Sequence, residues 1–116
     1  MEIVFANKKI KKQCEDFKLA QKNFNKEVAE KLYSTINYIN NAVSLLDVKN
    51  MPTFHLHALK GDRKGTYSID LGRRLGYRLI ITPLNDEHQE WDTNDEYIIY
   101  NSTKIILAME VSNHYE

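Results

Sequence analysis

Residues 54–69 read FHLHALKGDRKGTYSI, and the fold follows from how that stretch alternates. Phe54, Leu56 and Ala58 fall on one side of an extended chain and His55 and His57 on the other, because successive side chains of a strand point to opposite faces. Tyr67 and Ile69 alternate in the same way against Thr66, Ser68 and Asp70. Gly61 to Gly65 supplies the turn between the two runs. The stretch therefore predicts an antiparallel hairpin with an apolar side and a polar side.

Downstream, Tyr77, Leu79 and Ile81 alternate with Arg78, Ile80 and Thr82, and Pro83 marks the end of that strand. Glu96 to Tyr100 is expected to form a further strand. Asn101 to Thr103 make a turn, and Ile105, Leu107, Met109 and Val111 form the last strand. Upstream the apolar period lengthens from 2 to about 3.6. Ile10, Cys14, Phe17, Ala20 or Gln21, and Phe24 make one helical stripe capped by Asn7. Val28, Leu32, Ile36, Ile39, Val43 and Leu46 make a second, with Asn25 as its cap. Ile3, Val4 and Phe5 suit a short strand before them. The order is βααβββ with one more strand possible, an α+β class: a short N-terminal strand, two packed helices, then an antiparallel sheet of three to four strands.

The 116 residues allow one core and are too few for two ordinary domains, so a single domain over residues 1–116 is expected. Hydrophobic residues at 42% and charged residues at 28% exclude a disordered tail. The opening MEIVFANKKIKK has an apolar run too short for a signal peptide, and no run approaches the roughly 20 apolar residues of a membrane helix, which points to the cytoplasm. Cys14 is the single cysteine, which rules out an internal disulfide and a thiolate-rich metal site and reads as a small buried hydrophobe.

Sixteen Lys and Arg balance sixteen Asp and Glu, but the charges are segregated. Between Phe54 and Ile80, Lys60, Arg63, Lys64, Arg73, Arg74 and Arg78 meet only Asp62 and Asp70, which makes an anion-binding patch. Between Ile81 and Tyr100, Asp86, Glu87, Glu90, Asp92, Asp95 and Glu96 meet no cation. The segment from Leu84 to Asp95 has no apolar period and is expected to be a mobile loop. We expect it to fold away from the arginine face, serving partner contact or repelling wrong ligands.

The run AVSLLDVKNMPTFHLHALKGDRKGTYSID resembles the HigB, or proteic killer, pattern of the RelE/ParE superfamily of bacterial toxins, in which a helix end and a proline lead into LHxLKGDRKGxWSI. Tyr67 stands where that pattern has Trp. The strand Tyr77-Arg78-Leu79-Ile80 is similar to the family's aromatic-Arg-Ile strand, and Val111 to Tyr115 to its terminal strand. That strand ends in Asp-Tyr-His in the family and in Asn113-His114-Tyr115 here. The acidic segment at about 84–103 is an insertion relative to the family's short hairpin.

The resemblance implies a RelE/ParE-like fold and a ribosome-dependent endoribonuclease that cuts messenger RNA during translation. It also implies an antitoxin partner, in the HigB branch a HigA-like helix-turn-helix protein. Cleavage by the RNA's own 2′-hydroxyl needs a base, an acid for the departing 5′-oxygen and cations for the phosphate, with no cofactor or metal. His57 matches the motif histidine and is the leading base; its bland alternative is a solvated strand histidine. Arg63 and Arg78 are assigned to the scissile phosphate; their structural alternatives are pairs with Asp62 and Asp70. His114 or Tyr115 would donate the second proton, or Tyr115 would stack on a displaced base. Lys60 and Lys64, with Arg73 and Arg74, would steer toward RNA backbone, and His55 is a bystander or phosphate contact. A zinc site at His55 and His57 lacks ligands at a recognisable spacing. The competing readings are a ParE-like gyrase inhibitor, which needs no acid and base, and a catalytically attenuated toxin-like protein-binding module.

Overall fold

The computed structural model describes residues 1–113; the side chain of Arg73 also lies outside the described set. Asparagine and aspartate side chains begin most of the helices. The carboxamide oxygen of Asn7 accepts from the Ile10 N–H (3.0 Å) and starts α1, Lys8–Glu15. That of Asn25 accepts from Val28 (2.9 Å) and starts α3, Lys26–Asn41. Between them the predicted first helix is broken. Asp16 adopts extended backbone and caps a separate α2, Phe17–Asn23, through the Leu19 N–H.

The second predicted helix also stops early. Its stripe through Val28, Leu32 and Ile39 is buried, but Val43 is 74% exposed. Ala42 turns extended after Asn41. The terminal ammonium of Met1 donates to the Ala42 carbonyl at 2.6 Å, and Asp47 accepts from the Val43 N–H at 2.8 Å. A short α4, Leu45–Lys49, carries the stripe onward through Leu45 and Val48. Periodicity alone does not see this offset, because the apolar spacing resumes after it.

The sheet has five strands in the order β1-β5-β4-β3-β2: β1 is Glu2–Phe5, β2 His57–Ala58, β3 Tyr67–Asp70, β4 Tyr77–Leu84 and β5 Ile105–Asn113. The last four strands are antiparallel neighbours, as expected, and β1 joins the far edge parallel to β5. The strand before the hairpin is shorter than its alternation suggests. Pro52–Phe54 forms a 3₁₀ turn, and His55 is left-handed at φ 46 and ψ 47. Phe54 and Leu56 still reach the core, Phe54 edge-on to Tyr38 at 5.2 Å.

The helices cover one face of the sheet. Ile10, Val28, Leu32, Ile39, Leu45 and Val48 meet Tyr67, Ile69, Leu79, Ile81, Ile106 and Ala108 in one buried cluster. Each Val, Leu or Ile side chain among them, fully removed from water, contributes about 1.5–3 kcal/mol before entropy is counted. The other face is left to Ser68, Asp70, Arg78 and Ile80, which alternate with the core positions.

Residues 84–103 differ most from expectation. Glu96–Ser102 is a helix, α5, and not a strand. Asp95 caps it by accepting from the Tyr97 N–H at 3.0 Å, and Ile99 and Tyr100 bury one side while Tyr97 is 75% exposed. One-sided burial selects a helix even for the β-prone run Tyr-Ile-Ile-Tyr. The preceding segment is a built turn. Asn85 accepts from Glu87 and Gln89 through its side chain, Leu84 bridges to Glu90, and the Trp91 indole donates to Thr103 Oγ1 at 2.9 Å.

Candidate functional site

Strand register decides which functional side chains share a face. His57 pairs with Ser68, Ser68 with Ile80 and Ile80 with Glu110, so these four form one row across β2, β3, β4 and β5. Asp70, Arg78 and Ser112 form the next row. Both rows lie on the face without helices. The register slips after Ile80, where Ile81 pairs with Ala108 and leaves Met109 as the extra residue of a β-bulge.

Arg63 joins this face from the β2–β3 connection, where it ends a 3₁₀ turn at Gly61–Arg63. Its guanidinium donates to Glu110 Oε2 at 2.7 Å, so the side chain spans β4 to reach β5. Asp62, its neighbour in sequence, is not its partner. Both ends of the pair are about half exposed, 42% and 52%, which leaves the guanidinium open to exchange with another anion. Glu110 is the residue that sequence reading missed. Its signal is one carboxylate inside the apolar run 105–111 of the terminal strand.

Arg78 and Asp70 stand opposite each other, yet Asp70 lies 3.5 Å from His55 Nδ1 instead. The Nε of Arg78 and the hydroxyl of Ser68 are buried and have no hydrogen-bond partner among the described residues. His55 and His57 stack with ring centroids 4.5 Å apart and a 31° tilt. His57 Nδ1 sits 2.8 Å from the His55 carbonyl oxygen.

The remaining cations are placed elsewhere. Lys60 and Lys64 border a cleft of about 460 Å³ that runs past Ala58, Tyr67, Pro83 and Ile99, on the helix side of the sheet. Its opposite wall is Glu90, Trp91, Thr93, Asn94 and Glu96. The acidic segment thus faces the two lysines and makes no ion pair with Arg63 or Arg78 among the described residues. Tyr100, beneath this wall, meets Tyr67 edge-on at 5.9 Å. Burial first, and then the charge of Glu96, push its phenol up to about 12. Arg74 is exposed at the other end of β3, in the turn Arg73–Leu75. His114 and Tyr115 lie outside the described residues; Asn113, the last one described, stands opposite Tyr77, next to Arg78.

The chain has the RelE/ParE-like toxin fold. It is similar to the solved structure of a YoeB/ParE toxin from Agrobacterium tumefaciens at 14% identity and a TM-score of 0.53, over 99% of this chain and 100% of that one. It is also similar to a chain of the YoeB–YefM complex from Staphylococcus aureus at 21% identity and a TM-score of 0.53, over 99% and 98% of the two. No protein-family model matches the chain, and no curated protein matches it in sequence.

Proposed function

We propose that this chain is the toxin of a toxin–antitoxin pair, of the HigB branch, and that it cleaves messenger RNA on the ribosome. The observation that carries this reading is the shared helix-free face of His57, Arg63 and Arg78. The fold supports the toxin class, and the HigB assignment rests on the LHALKGDRKG motif. In this reading the scissile phosphate displaces Glu110 from Arg63 and lies between Arg63 and Arg78. His57 takes the 2′-hydroxyl proton, the 2′-oxygen attacks phosphorus, and the bond to the 5′-oxygen breaks. The products are a 2′,3′-cyclic phosphate and a 5′-hydroxyl, whose proton comes from an acid, assigned to His114 or Tyr115. Lys60, Lys64, Arg73 and Arg74 serve the RNA backbone.

The S. aureus neighbour was solved as a toxin with its antitoxin, and we assign this chain an antitoxin partner as well, HigA-like by the same motif. No described helix is long and apolar enough to cross a membrane; action on ribosomes places the protein in the cytoplasm.

Induced expression with mapping of mRNA 5′ ends tests the reading. Cuts inside translated codons are expected for the wild type and should vanish in His57→Ala and Arg63→Ala. Growth arrest without such cuts would point to gyrase inhibition instead. The Arg63–Glu110 pair favours one other reading, a binding module whose phosphate site is permanently closed, and an inert wild type would support it.

A further inference from the structure

We propose that His55 is a positioning residue for His57: its backbone carbonyl, turned toward that imidazole by a left-handed conformation, fixes the tautomer that leaves His57 Nε2 free to take a proton. This deepens the nuclease reading and rests on it for the proton's source.

Among the described residues His55 and His88 are the non-glycine positions with positive φ. A non-glycine residue holds such a conformation at a cost of about 1–3 kcal/mol, so something local must enforce it. At His55 the enforcement is visible. The turn Pro52–Phe54 begins with a proline, and the His55 N–H donates back to the Pro52 carbonyl at 3.1 Å. The left-handed residue then delivers its own carbonyl to His57 Nδ1 at 2.8 Å.

A carbonyl oxygen only accepts, so Nδ1 must carry the hydrogen. In the neutral ring the lone pair is then on Nε2. Free imidazole side chains favour the opposite form, with the hydrogen on Nε2, which could not act as a base through that atom. The His55 carbonyl thus does for His57 what an orienting acceptor does for any catalytic imidazole. The His55 ring lies beside that of His57. It stacks on His57 at 4.5 Å, and its Nδ1 lies 3.5 Å from Asp70, the register partner of Arg78. A residue assigned from the sequence as a bystander or phosphate contact acts here mainly through its backbone.

The test is a nitrogen-15 spectrum of the imidazoles in the full chain, assigned with His57→Gln, together with cleavage of mRNA on programmed ribosomes. Neutral His57 should show the Nδ1–H form in the wild type. Glycine and asparagine enter the left-handed region readily, so His55→Gly and His55→Asn should keep that form and stay within about threefold of wild-type cleavage. His55→Ile, β-branched, should move His57 toward the Nε2–H form and lower cleavage at least about tenfold. A wild-type His57 in the Nε2–H form overturns the proposal with no variant needed. So does an unchanged tautomer in a natively folded His55→Ile. If the tautomer is as stated and no RNA is cut, the positioning holds and the nuclease reading falls. If RNA is cut in a His57-dependent way while His57 is in the Nε2–H form, the nuclease reading holds and the positioning falls.

Discussion

The carboxylate of Glu110 holds the guanidinium of Arg63 at 2.7 Å across the helix-free face of the sheet, joining residues 47 positions apart. An anion thus already occupies the place at Arg63 assigned to an RNA phosphate. Because the pair is half exposed, Glu110→Gln should cost less than about 1 kcal/mol in stability. It should also free Arg63, tightening single-stranded RNA binding and steepening its salt dependence by about one released counterion. Fluorescence anisotropy at several salt concentrations checks this; an unchanged affinity would remove Arg63 from the phosphate site.

Lys60 and Lys64 border the cleft beside Glu90 and Glu96 rather than the His57 face. Alanine at either position should weaken RNA binding evenly across sequences and leave the cut positions where they are. Arg78→Ala, on the face itself, should instead lower the cleavage rate. Comparing mapped mRNA ends with binding curves separates the two effects.

Ser68 is fully buried between the His57 and Ile80 strands, and its hydroxyl has no partner among the described residues. A buried, unsatisfied hydroxyl is a net cost, so Ser68→Ala should leave stability unchanged or raise it by about 1 kcal/mol. Urea unfolding reads this directly, and a loss of that size would mean that the hydroxyl is bonded after all.

Tyr100 has its phenol pushed from 10 to about 12 by burial and then by Glu96. The folded state therefore keeps the proton where the unfolded chain has lost it. The stabilisation is complete below pH 10 and disappears as pH rises toward about 12. Tyr100→Phe should flatten that part of the stability curve, as measured by urea midpoints at about pH 9 and about pH 11.

Cys14 is 7% exposed, and burial, followed by the charge of Glu15, raises its thiol to about 12. Near neutrality almost no thiolate exists in the folded chain. A thiol reagent should react only through opening of the α1 region, so that the labelling rate rises with urea in step with that opening. Rapid stoichiometric labelling of the native protein would contradict the packing of α1.

Local chemistry was legible in the sequence. Asn7 and Asn25 cap helices because a side chain reaching an N–H three residues on depends on nothing distant. Tyr67 with Ile69 and Leu79 with Ile81 alternate onto the core, since a strand's period is a property of its own backbone. The placement of His57 and Arg78 on the face away from the core follows from the same alternation. What the sequence left open depends on which surfaces meet. Glu96 to Tyr100 has the β-prone residues of a strand, and only a core offered to Ile99 and Tyr100 from one side makes it a helix. Val43 keeps the helical spacing of its stripe, yet the Met1 ammonium and Asp47 claim the backbone around it. Glu110 meets Arg63 only after β4 and β5 have paired and bulged, and His55 is left-handed only within its turn against the neighbouring strand. The sequence by itself determined the class of fold, the faces of its strands and two of its helix caps. The tertiary structure decided which charges pair and which nitrogen of His57 carries the hydrogen, because those outcomes depend on distances between segments far apart in the chain or on a backbone conformation that no residue type specifies alone.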